Sequence, residues 1–296
     1  MNDSASPLVS VVIPTYNHAH YLGRALQSLI DQTMDNWEAI VIDNHSTDKT
    51  DEVMVRFSDP RITYCKIYNN GIIAASRNYG ICRARGEWVA FLDSDDWWTV
   101  DKLKTCFDHI NENTDFVYHD LAIVNGQSGL FKRKKLKCWQ VKMPVLIDLM
   151  VRGNAIATSS VMVRKKFLNQ VKGMNESADL VAAEDYHTWL RIAELTDNYY
   201  YIKKVLGKYF VNKQSMSQKD MSIPTRNAVS KSTYLLNKYQ KNLVESLLRF
   251  TSIKYQIKFK KGSMSNADLF FLLKNGDFII KIKTLCFYFI CNIKAN

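Results

Sequence analysis

The chain has 296 residues, of which 47% are hydrophobic and 23% charged, and its formal net charge is +11. That length can bury one large α/β core, or such a core with an appendage, and the ordinary composition excludes a disordered or fibrous chain. The positive excess predicts attraction to an anion-rich partner: a nucleotide diphosphate, an anionic lipid surface or nucleic acid.

The opening MNDSASPLVS has no basic stretch followed by an apolar core, so no secretory signal is read there. From Val9 onward, short β-branched runs alternate with amphipathic patterns, the mark of βαβ units and a parallel sheet. Strands are predicted at Val9–Ile13, Trp37–Ile42, Arg61–Lys66, Trp88–Leu92 and Phe116–His119. Helices are predicted at Tyr21–Asp31, from Asp48 toward Phe57, and at Ala74–Ala84. Beyond Asp120 the pattern loosens through a Gly/Ser turn and the basic run Lys132–Lys135. Helical signals return at Val145–Val151, Glu184–Leu195 and Val229–Phe250. The apolar end, Phe278–Cys291, is interrupted by Lys281 and Lys283 and falls short of the roughly 20 apolar residues a spanning helix needs. An interfacial or packed helix is expected there. The division expected is 1–220 for a main body, parted at 120 into 1–120 and 121–220, and 221–296 for a basic helical part.

Six cysteines are scattered without CxxC or His/Cys ligand spacing, which reads as reduced thiols. With the absent signal, this predicts a cytoplasmic protein. Lys254, Lys258, Lys260, Lys261, Lys274, Lys281, Lys283 and Lys294 concentrate positive charge near the end, which suggests peripheral contact with the inner face of a membrane; the alternative is a solvated basic face. No GxxxxGK[ST], GxGxxG or HExxH occurs, so ATP hydrolysis, NAD chemistry and zinc hydrolysis lose their usual support. The six histidines read as surface or satisfied core residues. Nucleic-acid binding rests on charge alone, and no partner of that kind is expected.

In open α/β sheets, chemistry sits in loops beyond the carboxyl ends of the strands. Asp93-Ser94-Asp95-Asp96 places three carboxylates in four residues after an apolar strand. Their repulsion calls for a cation, and Mg²⁺ or Mn²⁺ suits such oxygens together with a diphosphate. The alternative is a solvated turn capping the helix that begins near Thr99. Asp43, at the end of the second strand, can accept from a base N–H or a ribose hydroxyl, whereas Ser46, Thr47 and Asp48 fit plain helix capping. Asn70-Gly71 precedes Arg77, which can pair with the acidic loop or with phosphate, or lie exposed. Glu184-Asp185 either caps a helix or supplies a base near the sugar.

The ordered set VSVVIPTYN, VIDNHSTDKT, NNGIIAASRNYG, GEWVAFLDSDDWW, and GMNES followed by AEDYHTWLRIAE, over about residues 8 to 195, resembles the inverting glycosyltransferases of family 2. The resemblance implies a GT-A fold, a Rossmann-like, mostly parallel sheet flanked by helices, with a helical C-terminal appendage. It also implies a nucleoside diphosphate sugar donor, usually UDP-linked, and a divalent metal. Pro14, Thr15, Tyr16, Asn17 and Asp43 then match the nucleoside site, and Asp93-Ser94-Asp95 the DxD-like element, with Asp95 and Asp93 as metal ligands. Glu184-Asp185 matches the acid pair, with Asp185 the base that deprotonates the acceptor hydroxyl. Asn70 and Arg77 join the donor site. The chain departs from the family where Asn44 and His45 replace an acid and a glycine, and where Asn212 and Lys213 stand in for a His or Arg near the diphosphate; Lys213 is the expected phosphate contact. The size resembles bacterial enzymes that build O-antigen or capsule on a polyprenyl diphosphate carrier, with UDP-glucose and UDP-galactose the first-ranked donors. A nucleotide-sugar-binding protein without turnover is the competing reading.

Overall fold

The short apolar runs at the start of the chain become strands buried on both faces. The structure, a computed structural model, describes residues 6–125, 135–136, 138–211, 220–259 and 264–295. In chain order the first half runs β1 (Val9–Thr15), α1 (Ala19–Ile30), β2 (Trp37–Asp43), α2 (Thr50–Arg56), β3 (Ile62–Lys66), α3 (Ile73–Arg83), β4 (Trp88–Phe91), β5 (Trp97–Trp98), α4 (Lys102–Asp108) and β6 (Phe116–Asn125). The second half runs β7 (Lys135–Leu136), α5 (Val145–Arg152), β8 (Met162–Arg164), α6 (Lys165–Gln170), α7 (Glu184–Ala193), β9 (Tyr199–Val211), α8 (Ser222–Ser230), α9 (Lys238–Phe259), α10 (Asn266–Asn275) and α11 (Phe278–Ala295).

These strands form one mixed sheet in the order β3-β2-β1-β4-β8-β6-β9-β5, with β7 beside β6. The β3-β2-β1-β4 half is parallel, and β8 reverses direction against both β4 and β6. Because successive side chains point to opposite faces, Val9, Val11 and Ile13 join Leu22, Leu26 and Leu29 of α1 on one side. Val12, Ile40, Ile42, Val89 and Phe91 pack on the other side with α3, α5 and α7. All seven residues of β1 and of β2 are buried, the condition of strands covered by helices on both faces.

The predicted strands β1 to β4 and β6, and the helices α1, α2, α3, α5 and α7, are present with boundary shifts of a few residues. The continuous helix expected over Val229–Phe250 is a correction. α8 ends at Ser230, a 3-10 turn spans Thr233–Leu235, and α9 starts at Lys238. Hydroxyls cause the break: Ser230 Oγ donates to Asn227 O, Thr233 Oγ1 to Ser230 O, and Ser232 Oγ to the Glu194 carboxylate, competing with helical hydrogen bonding. The strand β9 was not foreseen. Lys203 and Lys204 interrupt its alternation, yet it pairs along β6 from Phe116↔Tyr199 to Asn125↔Val211.

The stretch 228–248 does not stand apart from the body over 1–220. Ala228, Val229, Leu236, Val244 and Leu248 belong to the same core as α5 and α7. The end of α9 with α10 and α11 encloses a separate small cluster of Phe250, Ile253, Met264, Leu272 and Ile280. Among the described residues, no helix is long and apolar enough to cross a membrane.

α3 lies unusually close to the sheet at Gly80. A Cβ there would stand 2.6 Å from Val12 Cγ1 and 2.9 Å from Ile42 Cδ1. Gly80→Ala is therefore expected to destabilise the protein by about 1–3 kcal/mol through overpacking. Denaturant unfolding measures it, and an unchanged midpoint would mean that α3 is not seated by this contact.

Candidate active site

The parallel register places Thr15 beside Asp43 and Val12 beside Phe91, so the loops leaving β1, β2 and β4 converge at one sheet edge. The first two are tied together. Asn17, at φ 51°, donates its N–H to Ser46 Oγ at 2.8 Å and accepts from Thr47 N–H at 2.8 Å. Asp48 accepts from Ala19 N–H at the start of α1 and from Thr50. Pro14 and Thr15 are buried beneath this junction, whereas Tyr16 is 53% exposed above it. Asp43 is wholly covered. It accepts from the Ser46 N–H and hydroxyl and from the Tyr64 hydroxyl at 2.9 Å, with Lys66 Nζ at 3.9 Å.

Asn70, at φ 51°, is exposed on the third loop, and the residue that organises this loop is its neighbour. Buried Asn69 donates its backbone N–H to Asn44 Oδ1 and its side-chain amide to Ser76 Oγ, and accepts from Gly71 N–H. One turn into α3, Arg77 is 3% exposed. Its guanidinium donates to Glu184 Oε1 at 2.6 Å and to Asp93 Oδ1 at 2.8 Å. Burial opposes its charge, but Asp93 and Glu184 more than compensate and hold its pKa above the ordinary arginine value. Of the two readings open for Arg77, pairing with the acidic loop is the one realised.

Within that loop, Ser94 is buried with its hydroxyl 2.8 Å from His18 Nδ1. Burial lowers the His18 pKa against the opposing pull of Asp93 and Asp48. Asp96 is turned inward and accepts Phe210 N–H at 2.8 Å; burial, then Asp95 and Asp93, push its carboxyl well above the usual range. Asp95 stays at the surface of the site. Burial, then the charge of Asp93, push it up to about 6, and Arg24, lying 3.5 Å over the Trp97 ring, donates to its carbonyl at 2.9 Å.

Among the described residues no group of three or more His, Cys, Asp or Glu side chains is arranged around one metal position. The donor set still suits a hard divalent cation. Asp95 has only its own backbone N–H and the charge of Arg24 to offset its carboxylate, Asp93 has one oxygen beyond its Arg77 bond, and ions of this kind are commonly held by one or two carboxylates with phosphate oxygens completing the shell.

The opposite wall is the start of α7. Glu184 is buried with Oε2 lacking a partner, while Oε1 meets Arg77. Asp185 accepts Thr158 Oγ1–H at 2.7 Å and its neighbour's N–H at 2.6 Å; burial, then Glu184, push it up to about 6. The structure thus joins Arg77, Asp93, Glu184 and Asp185 in one cluster and places Pro14, Thr15, Tyr16, Asn17, Asp43 and Asn70 on the adjoining loops. Lys213 lies outside the described residues. Sequence reading missed Thr158, His18 and Arg24. Thr158 sits in a 3-10 turn with no motif around it, and His18, read only as a surface or satisfied core residue, follows the Asn17 motif directly and meets Ser94.

Both cysteine and histidine readings can be compared with the structure. Cys65, Cys82, Cys106, Cys138 and Cys286 are free. His119 and His187 are not satisfied core residues: each is buried with one ring nitrogen lacking a partner.

The raised pKa of Asp95 means the folded protein binds that proton more tightly than the unfolded chain. Its contribution to stability is therefore full below about 3.8 and is lost as pH rises through about 6. Without metal or nucleotide, Asp95→Asn is expected to be more stable than the parent at pH 7.5, by on the order of 1–2 kcal/mol. The gain fades toward pH 5, where the parent carboxyl is protonated. Thermal melts across this range measure it, and a variant less stable at pH 7.5 would contradict the repulsion described.

The glycosyl transferase family 2 model matches residues 10–171, more than half the chain. The chain is 31% identical over 217 residues to the Escherichia coli UDP-Glc:alpha-D-GlcNAc-diphosphoundecaprenol beta-1,3-glucosyltransferase WfgD, covering 73% of this chain and 79% of that one. It superposes on Staphylococcus aureus TarS 1-349 in complex with UDP-GlcNAc with a TM-score of 0.64 at 19% identity, covering 90% of this chain and 79% of that one. The mannosyltransferase PcManGT from Pyrobaculum calidifontis, in complex with GDP-Man and Mn²⁺, gives 0.62 at 19% identity over 98% of this chain and 87% of that one. With the acid cluster at the carboxyl ends of β1, β2 and β4, these matches establish that the chain belongs to glycosyl transferase family 2 and is a glycosyltransferase of GT-A fold.

Proposed function

We propose that the protein is an inverting glycosyltransferase that moves a hexose or N-acetylhexosamine from a UDP-sugar to a hydroxyl of a polyprenyl-diphosphate-linked saccharide, in O-antigen or capsule synthesis. The observation that carries this reading is the Arg77 bridge, which holds Asp93 of the acidic loop and Glu184 of α7 within one guanidinium's reach, with Asp185 next in the chain. The donor side occupies residues 1–120, the acceptor side 121–220, and 221–296 form the helical part. Tyr16 and Asn17 receive the nucleoside where the first two loops are tied. Asp43 orders this junction and accepts a base N–H once Ser46 releases an oxygen. Asn70 lines the donor site, Arg77 orients Asp93 toward the diphosphate, and Lys213 is proposed as a further phosphate contact.

Mn²⁺ or Mg²⁺, held by Asp95 and Asp93, would supply positive charge to the departing diphosphate. Asp185 then serves as base. Thr158 and the Tyr186 N–H fix its carboxylate, and a value near 6 leaves it ionised at neutral pH yet basic enough to take a proton. As the acceptor oxygen bonds to the anomeric carbon, its proton passes to Asp185 and the bond from that carbon to the diphosphate oxygen breaks. One displacement inverts the centre.

The UDP-linked donor and lipid-linked acceptor are supported by the WfgD relation, and the UDP-GlcNAc complex of TarS accords with the donor class. Work at the cytoplasmic face of the membrane fits such an acceptor. On α11, Phe278 and Ile279 are exposed beside Lys281 and Lys283, a pairing suited to an anionic interface.

The test is nucleotide binding with and without Mn²⁺, by thermal shift over UDP, GDP and their sugars, together with Asp185→Asn. Metal-dependent stabilisation by UDP is expected. The variant should keep it while transfer falls by about 10²–10⁴-fold, and kcat in the parent should fall as pH drops through about 6. Stabilisation by GDP alone would replace the donor, and turnover surviving in Asp185→Asn would remove that residue as base.

A further inference from the structure

A cavity opens along α7, away from the acidic cluster. Its volume is about 450 Å³, and it is walled by the loop after α6, the flank of α7 and the turn after α8. Arg191 lies seven residues beyond Glu184, about 10 Å along the helix, while Asp185 points to Thr158 instead.

Its charge is one-sided. Lys172, Arg191 and Lys231 line it against the single carboxylate of Glu194, and among the described residues none of the three cations has an ion pair. Arg191 is fixed in place by donating to the carbonyls of Gly173, at 3.0 Å, and Val171. Glu194 is itself engaged, accepting Ser232 Oγ–H at 2.6 Å. At the wall, His187 is only 4% exposed, and its Nδ1 is buried with no partner. Burial, then Arg191 and Lys231, keep it neutral, with Asp179 opposing. At the rim, Tyr234 is 74% exposed and presents an aromatic face.

Two lysines without an ion pair, an arginine held on backbone carbonyls and an exposed aromatic ring are complementary to an anion joined to a sugar: charge-assisted donors match phosphate oxygens, and an aromatic face packs on a pyranose. We propose that this cavity binds the phosphate group of a glycosyl phosphate, with Lys172, Arg191 and Lys231 around the oxygens and Tyr234 against the sugar. The ligand is either a phosphate-bearing segment of the acceptor or a free sugar phosphate. The site is independent of which donor the reaction centre takes.

The probe is glucose 1-phosphate added to the full chain with the donor site saturated by UDP, read by ¹H–¹⁵N spectra of the histidine side chains. Saturable shifts of His187 are expected, with its titration midpoint raised by about one unit or more beside the bound anion. Lys172→Gln with Lys231→Gln should weaken binding roughly tenfold or more, and Glu194→Gln should strengthen it. No saturable His187 shift in a protein that still binds UDP would overturn the proposal, as would unchanged affinity in the double variant. Transfer kinetics separate the two sources. A higher acceptor KM at constant kcat in the double variant, seen with a phosphate-bearing acceptor and not with a neutral one, assigns the site to the acceptor. Equal KM values with both acceptors, while glucose 1-phosphate still binds the parent, assign it to a free sugar phosphate.

Discussion

A single buried guanidinium connects the two sides of the acidic cluster. Arg77 rises from α3 into a space with almost no water and meets a carboxylate from each side, Asp93 from the loop after β4 and Glu184 from the first turn of α7. Two charges of one sign flanking one of the other leave the cluster negative, and Asp95 and Asp185 add to that excess, whereas burial favours the protonated form of Asp96. In a medium of low polarity such a group is stable only while its geometry is kept, because removing one partner strands the remaining charge. Gly80 lets α3 approach the sheet, Asn69 anchors the loop before it, and Asn78 bonds the Met174 backbone and Glu176. Each therefore acts on the acids through the position of Arg77.

The acidic site is also organised for a cationic or anionic visitor in sequence. Asp95 and Asp185 are both held near the top of the carboxylate range, one by Asp93 and the other by Glu184, in each case on top of burial. Such environments are expensive to keep in the resting protein and useful when charge develops during reaction. The two acids differ in their support. Asp185 has two hydrogen-bond donors fixing its orientation, whereas Asp95 has its own backbone N–H and the charge of Arg24, a difference that accords with the base and the metal ligand proposed.

Much of this was legible in the sequence because the parallel half of the sheet obeys simple rules. β1, β2 and β4 are buried on both faces and so read as continuous apolar runs, and the polar loops that follow stand out by contrast. The antiparallel half hides. β8 has only three residues, β5 only two, and β9 carries lysines in its middle, so neither length nor alternation marks them. Asp93, Asp95, Glu184 and Asp185 could be singled out as carboxylates crowded at element ends. Thr158 could not, since its role comes from tertiary placement of a short turn 27 residues before Asp185. Asn69 and Asn70 show the resolution of such reading: the loop was found, but the amide that organises it is the first of the two.

The division of the apolar interior beyond α9 has a thermodynamic consequence. α10 and the start of α11 rest on a small cluster of five buried residues that is separate from the clusters flanking the sheet, and α10 is closed at its start by Ser265, which accepts from Asp268 N–H. A cluster of that size supports only a low free energy of opening, so this hairpin forms a cooperative unit of its own, able to detach and re-form while the sheet and the Arg77 cluster stay intact. Amide exchange along α10 is accordingly set by this local equilibrium, and exchange along β1 and β2 by unfolding of the whole protein.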